Sequence, residues 1–263
     1  MSIGIFDSGF GGLTVLKELI HTVPKQMLYL GDTAHMPYGT KSRETIIRYT
    51  MQNCSFLVSQ SVKLIVIACN TATAMALETV QAQFSIPIIG VIDPVIESVV
   101  KTSPHGRIGI LGTRATVMSG IYQKHIHDHL PQAEITAIAS PLLVSLVEEG
   151  FIDHPMTHLA IQEYVRPLLF AGVDTVVLAC THFPLLKKLI EQAMGPAVQV
   201  IDPAFACANA VKKAVSQLHL SEEKKRLDPL FYVTDDPDKF ARLGPHFLGH
   251  AIQTVELCPL QLV

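Results

Sequence analysis

The chain has no tryptophan, only 6% aromatic residues and no block of basic side chains. Its 20 Lys and Arg against 23 Asp and Glu leave a formal net charge of −3 over 263 residues. A nucleic-acid surface needs a concentrated positive field, so that class of partner is excluded. Charged residues make up 16% and hydrophobic ones 49%, the balance of a folded globular chain and not of a disordered one. Mean hydropathy is high at +0.35. Even so, no apolar run approaches the length of a membrane span, and the longest are cut by Cys, Asn, Asp or Pro. No basic leader precedes Ser2-Ile3-Gly4-Ile5-Phe6. The five cysteines are odd in number and irregularly spaced, in a chain too large to need staples. A cytoplasmic protein with free thiols and no membrane partner is the expectation.

What the chain does have is a repeated motif. Lys63-Leu64-Ile65-Val66-Ile67-Ala68-Cys69-Asn70-Thr71-Ala72-Thr73 returns as Asp174-Thr175-Val176-Val177-Leu178-Ala179-Cys180-Thr181-His182. A short run that is apolar at every position reads as a strand covered on both faces, inside a parallel sheet. Cys69 and Cys180 then fall at the carboxyl ends of two strands, where open α/β sheets bind ligands and where the next helix N-terminus favours a thiolate. A lone cysteine in such a place is best read as a small buried hydrophobe. Two in one local context, each followed by hydroxyl or amide side chains, point to function.

The rest of the chain repeats as well. Strands are expected to start at 3, 27, 64 and 86, the last covering 86–92 and stopped by Asp93-Pro94. Helices are expected over 13–20, 43–60 and 73–84. The strand starts are answered at 107, 134, 174 and 198, at offsets of 104, 107, 110 and 112, the slow drift of a duplicated domain with a few insertions. The expected fold is α/β: two pseudo-symmetric domains, each a mostly parallel sheet flanked by helices, with the active site in the cleft between them. Residues 1–97 with 205–263 would form the first domain and carry Cys69. Residues 98–204 would form the second and carry Cys180. A helix is expected over 204–218, a solvated charge run over 221–226, and two strands, 230–234 and 251–257, that join one sheet or the other.

Two such thiols could serve in three ways. A redox pair would favour a close Cys-x-x-Cys, and a zinc site would need further ligands at paired spacing; neither pattern is present. The third use is proton transport. With a carbon acid between them, one sulfur as thiolate removes a proton from one face while the other, as thiol, returns one to the opposite face, inverting the stereocentre. Asp7 and His182 are the candidates to manage the thiols' own protons.

Four stretches carry a specific resemblance: Ile5-Phe6-Asp7-Ser8-Gly9-Phe10-Gly11-Gly12-Leu13-Thr14; Gly31-Asp32-Thr33 with Pro37-Tyr38-Gly39; Ala68-Cys69-Asn70-Thr71-Ala72; and Ala179-Cys180-Thr181-His182-Phe183-Pro184-Leu185-Leu186. Together, and in this order over nearly the whole chain, they resemble the glutamate racemase family of the cofactor-independent aspartate/glutamate racemase superfamily. The resemblance implies Cys69 and Cys180 as catalytic acid/bases, with Asp7, Ser8, Tyr38, Gly39, Asn70, Thr71, Thr181 and His182 on the substrate. It also implies L- and D-glutamate as the small-molecule partners, D-glutamate going to peptidoglycan, and no metal, pyridoxal phosphate or nucleotide as cofactor. A homodimer is left open. Asp7 would accept the substrate ammonium, and neutral donors would hold the carboxylates. Phe183, Asp93 and Pro203 depart from the family's usual residues. Independently, no Gly-Lys-Ser/Thr phosphate loop is present, and Gly9-Phe10-Gly11-Gly12 reads as a turn into a helix. The rival readings are the same chemistry on aspartate or a hydantoin, and a non-catalytic two-lobed amino-acid-binding protein. The paired cysteines and the lack of a signal peptide weigh against the latter.

His125, His127, Asp128 and His129, like His246 and His250, read as surface residues and not as a metal cluster. Cys54, Cys207 and Cys258 read as packing residues. Glu148 fits either the cleft wall or a solvated helix end.

Overall fold

The duplicated apolar runs become two parallel sheets of the same topology. The computed structural model describes residues 2–218 and 228–258; the charge run 221–226 lies outside them. The first half runs β1 (Ser2–Asp7), α1 (Leu13–Thr22), β2 (Gln26–Gly31), α2 (Arg43–Ser59), β3 (Leu64–Ile67), α3 (Asn70–Gln83), β4 (Ile88–Gly90) and α4 (Ile92–Thr102). The second runs β5 (Arg107–Gly112), α5 (Arg114–Ser119), α6 (Ile121–His129), β6 (Glu134–Ala139), α7 (Pro141–Glu148), α8 (Pro155–Phe170), β7 (Thr175–Ala179), α9 (Lys187–Met194) and β8 (Gln199–Ile201). Then come α10 (Pro203–Gln217), β9 (Leu230–Val233), α11 (Pro237–Leu248) and β10 (Glu256–Leu257).

The first sheet has the order β10-β9-β2-β1-β3-β4 and the second β6-β5-β7-β8. Without its two C-terminal strands, the first has the order of the second, and every pairing in both is parallel. In the central strands Gly4 lies opposite Leu28 and Ile65, and Gly109 opposite Thr136 and Val176. The C-terminal strands belong to the first sheet, where Leu28 pairs with Leu230.

Side chains alternate between two apolar layers in the first half. Phe6, Leu30, Ile65 and Ile67 pack with Leu57 and Val80 on one side. Ile3, Ile5, Leu64 and Val66 point the other way, into a core that continues through Leu16, Val95, Val99 and Val211 to Ile108, Ile110, Val176 and Leu178 of the second sheet. Helix α10 packs on both α1 and α4, and α4 also meets β7, so the two lobes share one unbroken apolar interior.

The structure differs from the sequence expectations at three places. The fourth strand is only Ile88–Gly90, and Asp93-Pro94, expected to stop it, opens α4. The first turn of a helix leaves its N–H groups unpaired and its dipole positive, so it tolerates a proline and favours an aspartate. Helix α3 begins at Asn70 and not near Thr73, because Cys69 itself caps it. The last strand shrinks to Glu256–Leu257. Ile252 is buried instead against α11, where a Cβ on Gly244 would come within 2.5 Å of its Cδ1.

Candidate active site

Each central sulfur leaves its sheet just beyond a strand end. Cys69 has extended backbone (φ −65°, ψ 118°) before α3, and its Sγ accepts the Ala72 N–H at 3.4 Å, one of the donors a helix start leaves unpaired. Its thiol donates toward Ser8 Oγ at 3.5 Å. Burial first, then the nearby Asp7 charge, pushes the Cys69 thiol up to about 12. Cys180 follows β7 directly, and its Sγ lies 3.8 Å from Nδ1 of His182. The ring's Nε2 lies 2.9 Å from Oε1 of Glu148, at the end of α7. Burial works against charge on His182, but its bonds to Cys180 and Glu148 and their charges outweigh that and raise it to about 10. At neutral pH the ring is therefore an imidazolium, poised between a sulfur and a carboxylate.

Both sulfurs open onto one cavity of about 210 Å³ between the lobes. Ser8, Tyr38, Gly39, Cys69, Asn70, Thr71, Cys180, Thr181 and His182 all line it. Asp7 lies behind this wall, fully buried, its Oδ2 accepting the Gly9 N–H at 3.0 Å and its Oδ1 the Thr181 hydroxyl at 3.4 Å. Burial raises the pKa of Asp7, partly offset by the His182 charge and these donors. The backbone passes so close here that a Cβ on Gly12 would come within 2.4 Å of Asp7 Cβ, and one on Gly11 within 2.2 Å of Thr181 Oγ1.

The polar side chains are oriented by partners on neighbouring elements. The Tyr38 hydroxyl donates to the carboxylate of Asp32, which is fully buried and also takes Thr234 Oγ1 at 2.8 Å and Asn53 Nδ2 at 3.2 Å. Tyr38 therefore offers its ring to the cavity while its hydroxyl is committed to Asp32. Asn70 Oδ1 accepts the hydroxyl of Tyr122 at 2.7 Å, which leaves the amide N–H groups to serve the cavity. Thr71 Oγ1 lies 2.9 Å from Thr113 Oγ1 and 3.3 Å from Thr116 Oγ1, a triangle of hydroxyls across the seam between the lobes. No lysine or arginine is among the described residues lining the cavity.

The sequence left the role of Glu148 open and did not single out Thr113, Thr116, Tyr122 or Asp32 as site residues. Glu148 is 34 residues from His182, and no local pattern announces their contact. Thr113 did carry a signal, since it is the first residue beyond β5 as Ser8 is beyond β1. The surface histidines are engaged singly: His125 Nδ1 meets Asp93 Oδ1 at 2.6 Å, and His129 Nδ1 meets the His125 carbonyl at 2.9 Å.

Two sulfurs lining one cavity, one of them beside an imidazole held by a carboxylate, suit removal and return of a proton at one carbon. Comparisons with known proteins agree with that chemistry. The family model of the Asp/Glu/Hydantoin racemases matches residues 3–211. A glutamate racemase of Geobacter metallireducens is 45% identical over 250 residues, covering 94% of this chain and 93% of that one. The glutamate racemase RacE1 of Bacillus anthracis superposes with a TM-score of 0.92 at 32% identity, over 99% of this chain and 98% of that one. The Francisella tularensis glutamate racemase, solved with D-glutamate, has a TM-score of 0.92 at 36% identity, over 98% of this chain and 97% of that one. The chain belongs to the Asp/Glu/Hydantoin racemase family.

Proposed function

We propose that this chain is a glutamate racemase, an isomerase that interconverts L- and D-glutamate by a two-thiol, cofactor-independent 1,1-proton transfer, supplying D-glutamate for peptidoglycan in the cytoplasm. The observation that carries the reading is the opening of Cys69 and Cys180, from equivalent ends of two equivalent sheets, onto one cavity. The domains that meet there are 1–97 with 205–263, and 98–204.

Cys180 and Cys69 are the acid/bases on opposite faces of Cα. His182 exchanges a proton with Cys180 and is held by Glu148. Cys69, protonated at rest, is the thiol that delivers a proton, and once ionised it leans on the Ala72 N–H. Ser8, Asn70 and Thr71 donate to the carboxylates without the indiscriminate pull of a lysine or arginine, and Thr181, its own hydroxyl given to Asp7, borders the same place. Tyr38 and Gly39 wall the side chain in. Asp7 acts from behind Ser8 and Gly9, its charge set against the substrate ammonium. The relatives named glutamate racemase support glutamate over aspartate.

The test is incubation of the purified protein with L-glutamate, and separately D-glutamate, in D2O without added cofactor. The α-proton is followed by NMR and the enantiomers by chiral chromatography. Deuterium entering both enantiomers as their ratio drifts to one is the expected result. Exchange only with aspartate or a hydantoin would keep the mechanism and change the substrate, and no exchange with any of the three would end the racemase reading.

A further inference from the structure

Cys180, His182 and Glu148 form a longer chain of contacts than proton transfer to carbon requires. The imidazole addresses the sulfur through Nδ1 at 3.8 Å and the carboxylate through Nε2 at 2.9 Å. Thiol, imidazole and carboxylate in that order are the parts that activate a nucleophile for acyl transfer. All three line the cavity, and the side chains of His182 and Glu148 are only 7% and 18% exposed. Among the described residues Cys69 has no such chain, its sulfur meeting the Ser8 hydroxyl and the Ala72 N–H.

The geometry points to a second activity at Cys180: hydrolysis of 1-esters of glutamate through a thioester on its sulfur. This inference rests on the proposed substrate. Loss of the α-proton is easiest when the breaking C–H bond stands perpendicular to the carboxyl plane, so that its electrons pass into the carbonyl π system. A sulfur placed for that proton therefore stands over the face of the carboxyl carbon, one bond away. That face is also the side from which a nucleophile adds to a carbonyl. With glutamate itself the carboxylate repels a thiolate and offers no leaving group; an ester removes both obstacles. The donors that hold the carboxylate, among them Ser8 and Asn70, would then face the oxygen on which negative charge develops.

The steps balance without any co-reactant except water. The Cys180 sulfur adds to the acyl carbon, and the C–O bond to the alcohol breaks as His182 gives the alcohol its proton. Water then adds to the thioester, His182 takes a proton from it, and the C–S bond breaks to return the thiolate and free glutamate.

The experiment uses the 1-methyl esters of L- and D-glutamate with the intact protein, measuring methanol release and, after acid quench, protein mass and peptide mapping. The expected result is methanol release roughly a hundredfold above buffer and a glutamyl adduct on Cys180. Cys180→Ala should lose both signals. Cys69→Ala, which stops racemisation, should still form the adduct. Glu148→Gln should slow methanol release roughly tenfold and shift its pH profile. An adduct on Cys69 would overturn the assignment. So would exchange of the ester's α-proton without methanol release, because Cys180 would then be acting on the ester only as a base. Free glutamate is assayed in parallel with the same preparation. Racemisation without ester cleavage defeats this inference alone, whereas loss of both defeats the underlying substrate reading.

Discussion

The Cys69 and Cys180 corners are built on the same backbone plan and supplied with opposite chemistry. Each sulfur sits just past an apolar strand in the third position of a four-strand repeat. Beyond Cys69 a 14-residue helix begins at once, and the charged neighbour is the acidic Asp7. Beyond Cys180 comes a single 3₁₀ turn, Phe183–Leu186, and the charged neighbour is an imidazolium. A repeated fold therefore sets where two groups stand, while the residues around them decide which charge each sulfur faces.

Removing one sulfur at a time should have the most severe effect. Cys69→Ser and Cys180→Ser should each lower racemisation by roughly a thousandfold or more. Each should retain deuterium exchange into one enantiomer only, and the two variants into opposite ones; wild-type rates in both would sink the two-thiol mechanism. Glu148→Gln should cost roughly a hundredfold and act on the Cys180 half. His182 gives up its proton as pH rises through about 10, so the wild-type rate should fall over that range. Glu148→Gln removes one of the charges that raise His182, and the alkaline limb should move to lower pH. In stability terms the raised His182 contributes fully below the unfolded value of 6.5, and that contribution is lost as pH climbs through about 10.

Two glycines sharpen the contrast sterically. A Cβ on Gly11 would meet His182 Nδ1 at 2.7 Å, and one on Gly12 would meet Asp7 Cβ at 2.4 Å. Gly11→Ala should disturb mainly the Cys180 half and Gly12→Ala the Cys69 half, each by roughly tenfold, read from exchange into the two enantiomers. The smallest effect is expected at the seam. Tyr122→Phe frees the Asn70 amide to rotate and should raise KM roughly fivefold with kcat nearly unchanged, the kinetic equivalent of about 1 kcal/mol for one hydrogen bond. A fall in melting temperature with KM unaltered would make Tyr122 a packing residue only.

Most of the fold and the reaction class were legible in the chain, because buried parallel strands announce themselves as unbroken apolar runs and Ala-Cys closes two of them. The boundaries at Asp93-Pro94 were not, since the same dipeptide that ends a strand also suits the opening turn of a helix. Nor did local pattern resolve the partner of His182. Glu148 ends a helix in a part of the chain with no motif of its own, and only folding brings its carboxylate to the ring. Asp7 shows the opposite case: its motif drew attention to it, yet its place behind the wall depends on how closely Gly11 and Gly12 let the chain pass.

The apolar interior that runs unbroken from the first sheet to the second also bears on inheritance. A gene of this kind can arise by doubling, but once the two copies have sealed their cores through α1, α4 and α10, neither half can be traded for a stranger's. A recombinant joined near the middle would meet a mismatched partner along that whole seam.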